Sequence, residues 1–348
     1  MLIASVLEPA LLAPELFNTN PSFRSRTIER FDELLRAHIL LIDDQADGKS
    51  VMSDTIVKFL QSLPACIQQR LNAFPTERLV RMKIGPEASS LVTLPIGTKE
   101  AISVADQGKA DVLFLTQQTA DALTTQGNAP HNAYTYDSYA GSTPYERECA
   151  TRGGLPLAEM SQERFVREIL GPVVYWARNV TLIDKMLTVS SIGSQANRTR
   201  FANTIKLIHK TWSQGHFKGE GTFTLITFPD RDHREIPPRD QAITICQAFE
   251  VGHLRITIHV KDPAGLWDAA HDRYLTTSQG VVLGFTRGFD LTAGHGDVIP
   301  CDVYLRACPS AAADVVPRVM KAQNRAVVDW PIAGIEPQGF RPNAFDTL

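Results

Sequence analysis

The chain has 348 residues, 43% of them hydrophobic and 21% charged, with a formal net charge of −3 at pH 7; that length predicts two domains, each able to bury a core. The near balance of charge excludes a globally basic nucleic-acid coat, so any hold on a polyanion has to come from a local patch. The five cysteines, Cys66, Cys149, Cys246, Cys301 and Cys308, have no C-x-x-C spacing, which excludes a disulfide framework or a zinc finger and predicts a reducing, cytoplasmic setting.

Met1 to Leu7 is apolar but has no basic leader and is interrupted by Glu8-Pro9, so no signal peptide is expected. No apolar run approaches the roughly 18 residues of a membrane span, and a membrane partner is not expected. Ile28, Phe31, Leu34 and Leu35 recur at helical spacing over Thr27 to His38 and lead into an apolar strand, Ile39 to Ile42, closed by Asp43-Asp44. Ser53 to Leu63 reads as a helix with Ser53 as N-cap and Pro64 as its stop. Ala110 to Thr116 reads as a second buried strand followed by a helix start. Residues 1–125 are therefore expected to form an α/β domain.

This strand-acid-helix order loosely resembles a PIN-type nuclease domain, in which clustered carboxylates hold a divalent metal. Gln117-Gln118 follow Thr116 where that family commonly has an aspartate. The residues themselves favour Asp43 and Asp44 as strand-ending acids, and no metal site is predicted.

Residues 126–158 are punctuated by Gly127, Pro130, Gly141, Pro144, Gly153 and Pro156, and are expected to be a loop or linker. Tyr134, Tyr136, Tyr139 and Tyr145 either stack on bases or anchor that loop with their hydroxyls near water. The second reading is favoured.

Residues 159–308 read as a second α/β domain. Its expected elements are a helix over Ser161 to Arg178, a strand over Val180 to Ile183, a helix over Asn197 to Trp212 and a strand over Phe223 to Phe228. A helix over Gln241 to Val251 and a strand over Leu254 to Val260 follow. His271-Asp272-Arg273-Tyr274-Leu275 then opens a hairpin whose polar turn is Thr276 to Gly280 and whose return is Val281 to Phe285, followed by Arg287-Gly288-Phe289-Asp290. Residues 309–348 are expected to be a tail, with one short helix near Ala311, an extended segment, and Trp330 as an anchor.

The spacing of H-D-R, Gly280 and R-G-x-D resembles the phospholipase-D-like C-terminal domain of microtubule-interacting-and-trafficking proteins and its bacterial relatives. Phe165, Ile169, Pro172, Tyr175 and Ala177, followed by Val180 to Lys185, extend the resemblance to residues 160–305. It implies an α/β sandwich and a phosphodiester substrate attacked without metal or cofactor by His271, with the partner subunit's His271 as acid in a homodimer. Arg273, Thr286 and Arg287 would hold the phosphoryl group, and Asp184, Asp272 and Asp290 would orient or pair these groups. Nucleic acid as substrate, further partner subunits and a bacterial antiviral-defence role are further implications of the resemblance.

The chain departs from the full catalytic signature. Arg273 stands in place of lysine, Ser278 in place of aspartate, and Phe285-Thr286-Arg287-Gly288 in place of G-S-x-N. An arginine fork holds phosphate bidentately but is not equivalent to a lysine point charge. Two alternatives therefore stand beside catalysis: a silent module binding phosphate, nucleic acid or a partner, and a salt-bridged structural hairpin. Arg231-Asp232-His233-Arg234-Glu235 reads as a solvated charged loop.

Overall fold

In the computed structural model the chain divides into two compact units, Met1–Ala150 and Thr151–Leu348. The structure describes residues 3–12, 37–44, 50–63, 78–83, 94–152, 155–156, 161–249, 254–263, 273–285, 302–306 and 315–332, with 25, 28–30, 34, 65, 68 and 69. Both units are α/β, as the sequence predicts.

The first unit is built on strands β1 (Ile3–Leu7), β2 (His38–Asp43), β3 (Leu79–Met82), β4 (Val112–Phe114) and β5 (Ala133–Tyr134). They form a parallel sheet in the order β3-β2-β1-β4-β5. Every residue of β1, β2 and β4 is buried, as parallel strands covered on both faces require. The apolar start of the chain is thus the central strand. Residues 28–30, 34 and 37 are helical, and β2 begins at His38. Helices α1 (Val51–Ser62), α2 (Ile96–Gln107) and α3 (Gln117–Thr125) supply crossovers.

The stretch 126–158 is not a plain linker. It contributes β5, α4 (Tyr136–Tyr139) and α5 (Thr143–Arg152). Thr135 caps α4 in a reciprocal capping box with Ser138, a local side-chain signal that overrides the surrounding glycines and prolines. The tyrosines do anchor this segment, through edge-on contacts of Tyr139 with Phe114, Tyr134 and Tyr145 at ring separations of 5.0, 6.2 and 5.5 Å. Their hydroxyls do not all reach water. The Tyr136 hydroxyl is buried without a hydrogen-bond partner, and that of Tyr139 donates to Glu148 at 3.2 Å.

The second unit holds β6 (Leu155–Pro156), β7 (Val180–Ile183), β8 (Phe223–Thr227), β9 (Ile256–Lys261), β10 (Arg273–Thr277), β11 (Val282–Phe285), β12 (Asp302–Arg306) and β13 (Asn324–Trp330). Their order is β13-β9-β8-β7-β10-β11-β12-β6. β7, β8 and β9 are parallel, and every other pairing is antiparallel. The helix expected at Ser161 runs over 162–174 as α6, with a π segment, Val166–Leu170, inside it. Helices α7 (Val189–Gly193), α8 (Gln195–Ser213), α9 (Pro238–Ala248) and α10 (Val315–Lys321) complete the unit.

The C-terminal segment is also more than a tail. β13 pairs antiparallel with β9, and Trp330 is only 2% exposed. The alternation of Ala326, Val328 and Trp330 with Arg325, Val327 and Asp329 places one half inward and the other outward, the pattern of a half-covered strand. On one face of the sheet, Ile183, Ile226, Tyr274 and Val282 pack with Val316 and Val319 of α10. Period-two alternation assigns Leu182, Asp184 and Arg273 to the opposite face.

Candidate functional site

The hairpin predicted around Gly280 is present, with Arg273 opposite Phe285 and Tyr274 opposite Gly284. Gly280 turns the chain at φ +72°, a conformation that glycine adopts without steric cost. β10 also pairs with β7, Tyr274 lying opposite Ile183. That register sets Arg273 beside Asp184, the residue following β7, although the two are 89 positions apart. Arg273 Nε donates to Asp184 Oδ1 at 3.3 Å, the side chains being 18% and 4% exposed respectively. Asp184 Oδ1 also accepts from the Met186 backbone N–H at 2.8 Å, an Asx-type turn that fixes the carboxylate at the strand's carboxyl end.

Asp184 borders a small pocket lined by Leu182, Leu187, Phe201, Thr204, Ile205 and Leu225. The other face-forming groups at this edge are committed to the fold. Asp230, after β8, accepts from the Ser190 N–H and hydroxyl, both at 2.7 Å, and from the Asp232 N–H at 2.9 Å. Burial works to raise the Asp230 pKa, but these donors outweigh it and hold it below the ordinary value. Lys261, at the end of β9, donates to the carbonyls of Met320 and Ala322, both at 3.0 Å. It closes the C-terminal end of α10, where a cation is electrostatically favoured.

His271, Asp272, Thr286, Arg287 and Asp290 lie outside the described residues. In sequence, the first two immediately precede Arg273 and the next two immediately follow Phe285, the residue paired with Arg273. Of the predicted site residues, the structure brings together Asp184 and Arg273. Ser278, at the position of the signature's aspartate, belongs to the opposite end of the hairpin. Its N–H donates to the Asn179 carbonyl at 2.9 Å, and its hydroxyl accepts from the Asn179 N–H at 3.3 Å. Five residue steps separate it from Arg273, about 17 Å at roughly 3.3 Å each, so Ser278 acts as a turn anchor.

No family model, curated protein or solved structure matches this chain.

The first unit supplies buried polar groups that sequence reasoning missed. Its strand order reverses between β1 and β4, the switch point where open α/β sheets commonly bind ligands. Glu8 stands there, 1% exposed, and accepts from Thr98 Oγ1, Thr119 Oγ1 and the Thr116 N–H, each at 2.7 Å. Glu100 accepts from the backbone N–H groups of Val51 and Met52 at 3.4 and 3.2 Å. These acids tie down the starts of α3 and α1, where a negative charge meets exposed N–H groups. Asp43 is buried at the end of β2. Among the described residues, no three His, Cys, Asp or Glu side chains are grouped to hold a metal ion.

Within the same unit, the Ser5 hydroxyl meets His38 Nδ1 at 2.6 Å, and His38 Nε2 meets Glu148 Oε2 at 3.3 Å. The order serine, histidine, acid is that of a nucleophilic relay. Exposures of 0%, 1% and 5% deny a substrate access to it. It is a core network, and burial holds the His38 pKa below its ordinary value against the opposing pull of Glu148.

Proposed function

We propose that the second unit acts on a phosphodiester of nucleic acid where the carboxyl end of β7 meets the amino end of β10. The supporting observation is the meeting of Arg273 with Asp184, two residues 89 positions apart that the same resemblance assigns to one site. In this reading a ring nitrogen of His271 attacks phosphorus, forming a P–N bond as the P–O bond to the leaving oxygen breaks. The partner subunit's His271 donates a proton to that oxygen, and water then releases the phosphoryl group from the first histidine. Arg273, Thr286 and Arg287 hold the phosphoryl oxygens, while Asp184, Asp272 and Asp290 position or pair them. A cytoplasmic homodimer with a role in antiviral defence, with or without further subunits, belongs to the same reading.

The ion pair itself favours a second reading. An arginine already engaged by a buried carboxylate is a positioned cation rather than a mobile charge, which suits a non-catalytic module that binds phosphate, nucleic acid or a partner protein. The decisive experiment incubates the full chain in EDTA with labelled single- and double-stranded DNA and RNA, beside His271→Ala. Cleavage that survives EDTA and vanishes in the variant supports catalysis. Binding without cleavage supports the module, and neither binding nor cleavage overturns both.

A further inference from the structure

Helix α8 carries Arg198, Arg200, Lys206 and Lys210, with His209, and not one acidic residue in its 19 positions. In a chain of net charge −3, this is a local concentration of positive charge. Its first half packs toward the pocket that Asp184 borders, through Phe201, Thr204 and Ile205. Its second half leads to Lys210 and, after one turn, to Lys218, both exposed. At about 1.5 Å per residue, Lys210 lies roughly 9 Å along the helix from Thr204.

The far end of the helix gathers further groups from α6 and its exit. The His216 N–H donates to the Tyr175 carbonyl at 2.7 Å, and a Cβ on Gly215 would lie 2.4 Å from that same oxygen. Only glycine lets the two segments meet this closely. Tyr175 is 42% exposed and packs edge-on against Trp176 at 4.9 Å. Arg178 lies over the Phe217 ring at 5.1 Å. Glu220 is an exposed acid of the same turn.

We propose that the face formed by Lys206, Lys210, Lys218 and Arg178, with Tyr175 at its end, is a track for single-stranded nucleic acid. Lysines spaced along a helix meet successive phosphates, and an exposed ring beside them offers a stacking platform that an unpaired base can use and a duplex cannot. The inference takes its ligand class from the phosphodiester reading above. Binding along this face does not itself require hydrolysis.

The test uses the full-length chain carrying His271→Ala and follows the anisotropy of labelled 20-nucleotide oligo(dT) and oligo(U) against salt. Replacing Lys206, Lys210 and Lys218 together with Gln is expected to flatten the slope of log K against log salt by about 2, at about 0.7 per lost single-strand phosphate contact. Lys210→Gln with Lys218→Gln, both at exposed positions, is expected to remove about 1.4 and covers the case in which the triple variant unfolds. Tyr175→Ala is expected to weaken binding roughly 5- to 100-fold. An unchanged slope, no binding by the parent, or binding confined to duplexes or to phosphatidylserine vesicles overturns the track. Cleavage by the unsubstituted chain with unaltered binding in the lysine variants overturns the track alone; oligonucleotide binding by the track without such cleavage overturns catalysis alone.

Discussion

Arg273 and Asp184 meet at 3.3 Å at the carboxyl edge of one sheet, one from the first position of a hairpin and the other from the end of a parallel strand. Removing one partner of a buried pair usually costs about 3–5 kcal/mol, and the partial exposure of Arg273 reduces that to about 2–3 kcal/mol for Asp184→Ala. Asp184→Ala combined with Arg273→Met is expected to recover part of the loss. Urea denaturation measures both, and an Asp184→Ala midpoint equal to that of the parent would show the pair to be energetically idle.

His38 makes the first unit sensitive to acid. Burial lowers its pKa below 6.5 in the folded chain, against the opposing hydrogen bond to Glu148. The unfolded chain therefore binds a proton that the folded one refuses, and stability falls as pH drops below about 6.5. Asp111 works in the opposite sense, because burial raises its pKa above 3.8 and the folded chain then gains stability as pH falls toward 3.8. Thermal melts between pH 7.5 and 5.5 should show declining stability. His38→Gln should flatten the decline, and an equally steep slope in that variant excludes His38 as its source.

Asp230 locks the turn after β8 to the start of α7. Its folded pKa is depressed below 3.8, so its contribution is present above that value and is lost as pH falls through the folded pKa. Asp230→Ala removes the acceptor for three donors and is expected to cost about 3 kcal/mol. Ser190→Ala keeps the backbone N–H contact and is expected to cost about 1–2 kcal/mol. Equal losses in chemical denaturation contradict this division.

The two described cysteines differ in reactivity. Cys149 is exposed and Cys246 buried, and burial pushes the Cys246 thiol up to about 12. Iodoacetamide at pH 8 should alkylate Cys149 in the native chain and Cys246 only after unfolding, because the thiolate is the nucleophile. Peptide mapping by mass spectrometry reads both sites. Comparable native rates contradict the packing around Cys246.

Trp330 joins β13 to the core. Trp330→Ala is expected to cost about 3–5 kcal/mol. Trp330→Phe should cost much less, since the buried indole N–H has no hydrogen-bond partner to lose. A calorimetric scan ranks the two variants, and a reversed order contradicts this account.

Strong periodicity made part of the fold legible. The alternation around Gly280 gave the β10–β11 hairpin, and the spacing of Phe201, Ile205, Ile208 and Trp212 gave α8, whose observed span is Gln195–Ser213. The short apolar run at the chain start carries no period that distinguishes a leader from a buried strand, and β13 was obscured by the neighbouring prolines. In the candidate site, both Asp184 and Arg273 were recognised from sequence. Their contact depends on strand register across 89 positions, which no local pattern encodes. Ser5, His38 and Glu148 lie on three separate elements, so only the parallel order of the sheet reveals their meeting.

The edges of the second sheet also set an order of assembly. β6, the earliest strand of this unit, occupies one edge through its pairing with β12, whereas β13 occupies the other through its pairing with β9. During synthesis, the polypeptide must emerge past residue 306 before the first edge can close and past residue 330 before the second can. Such distant pairings slow folding because chain entropy is lost before contact is gained. A nascent chain halted between those points would present β9 as an uncovered template for foreign strands.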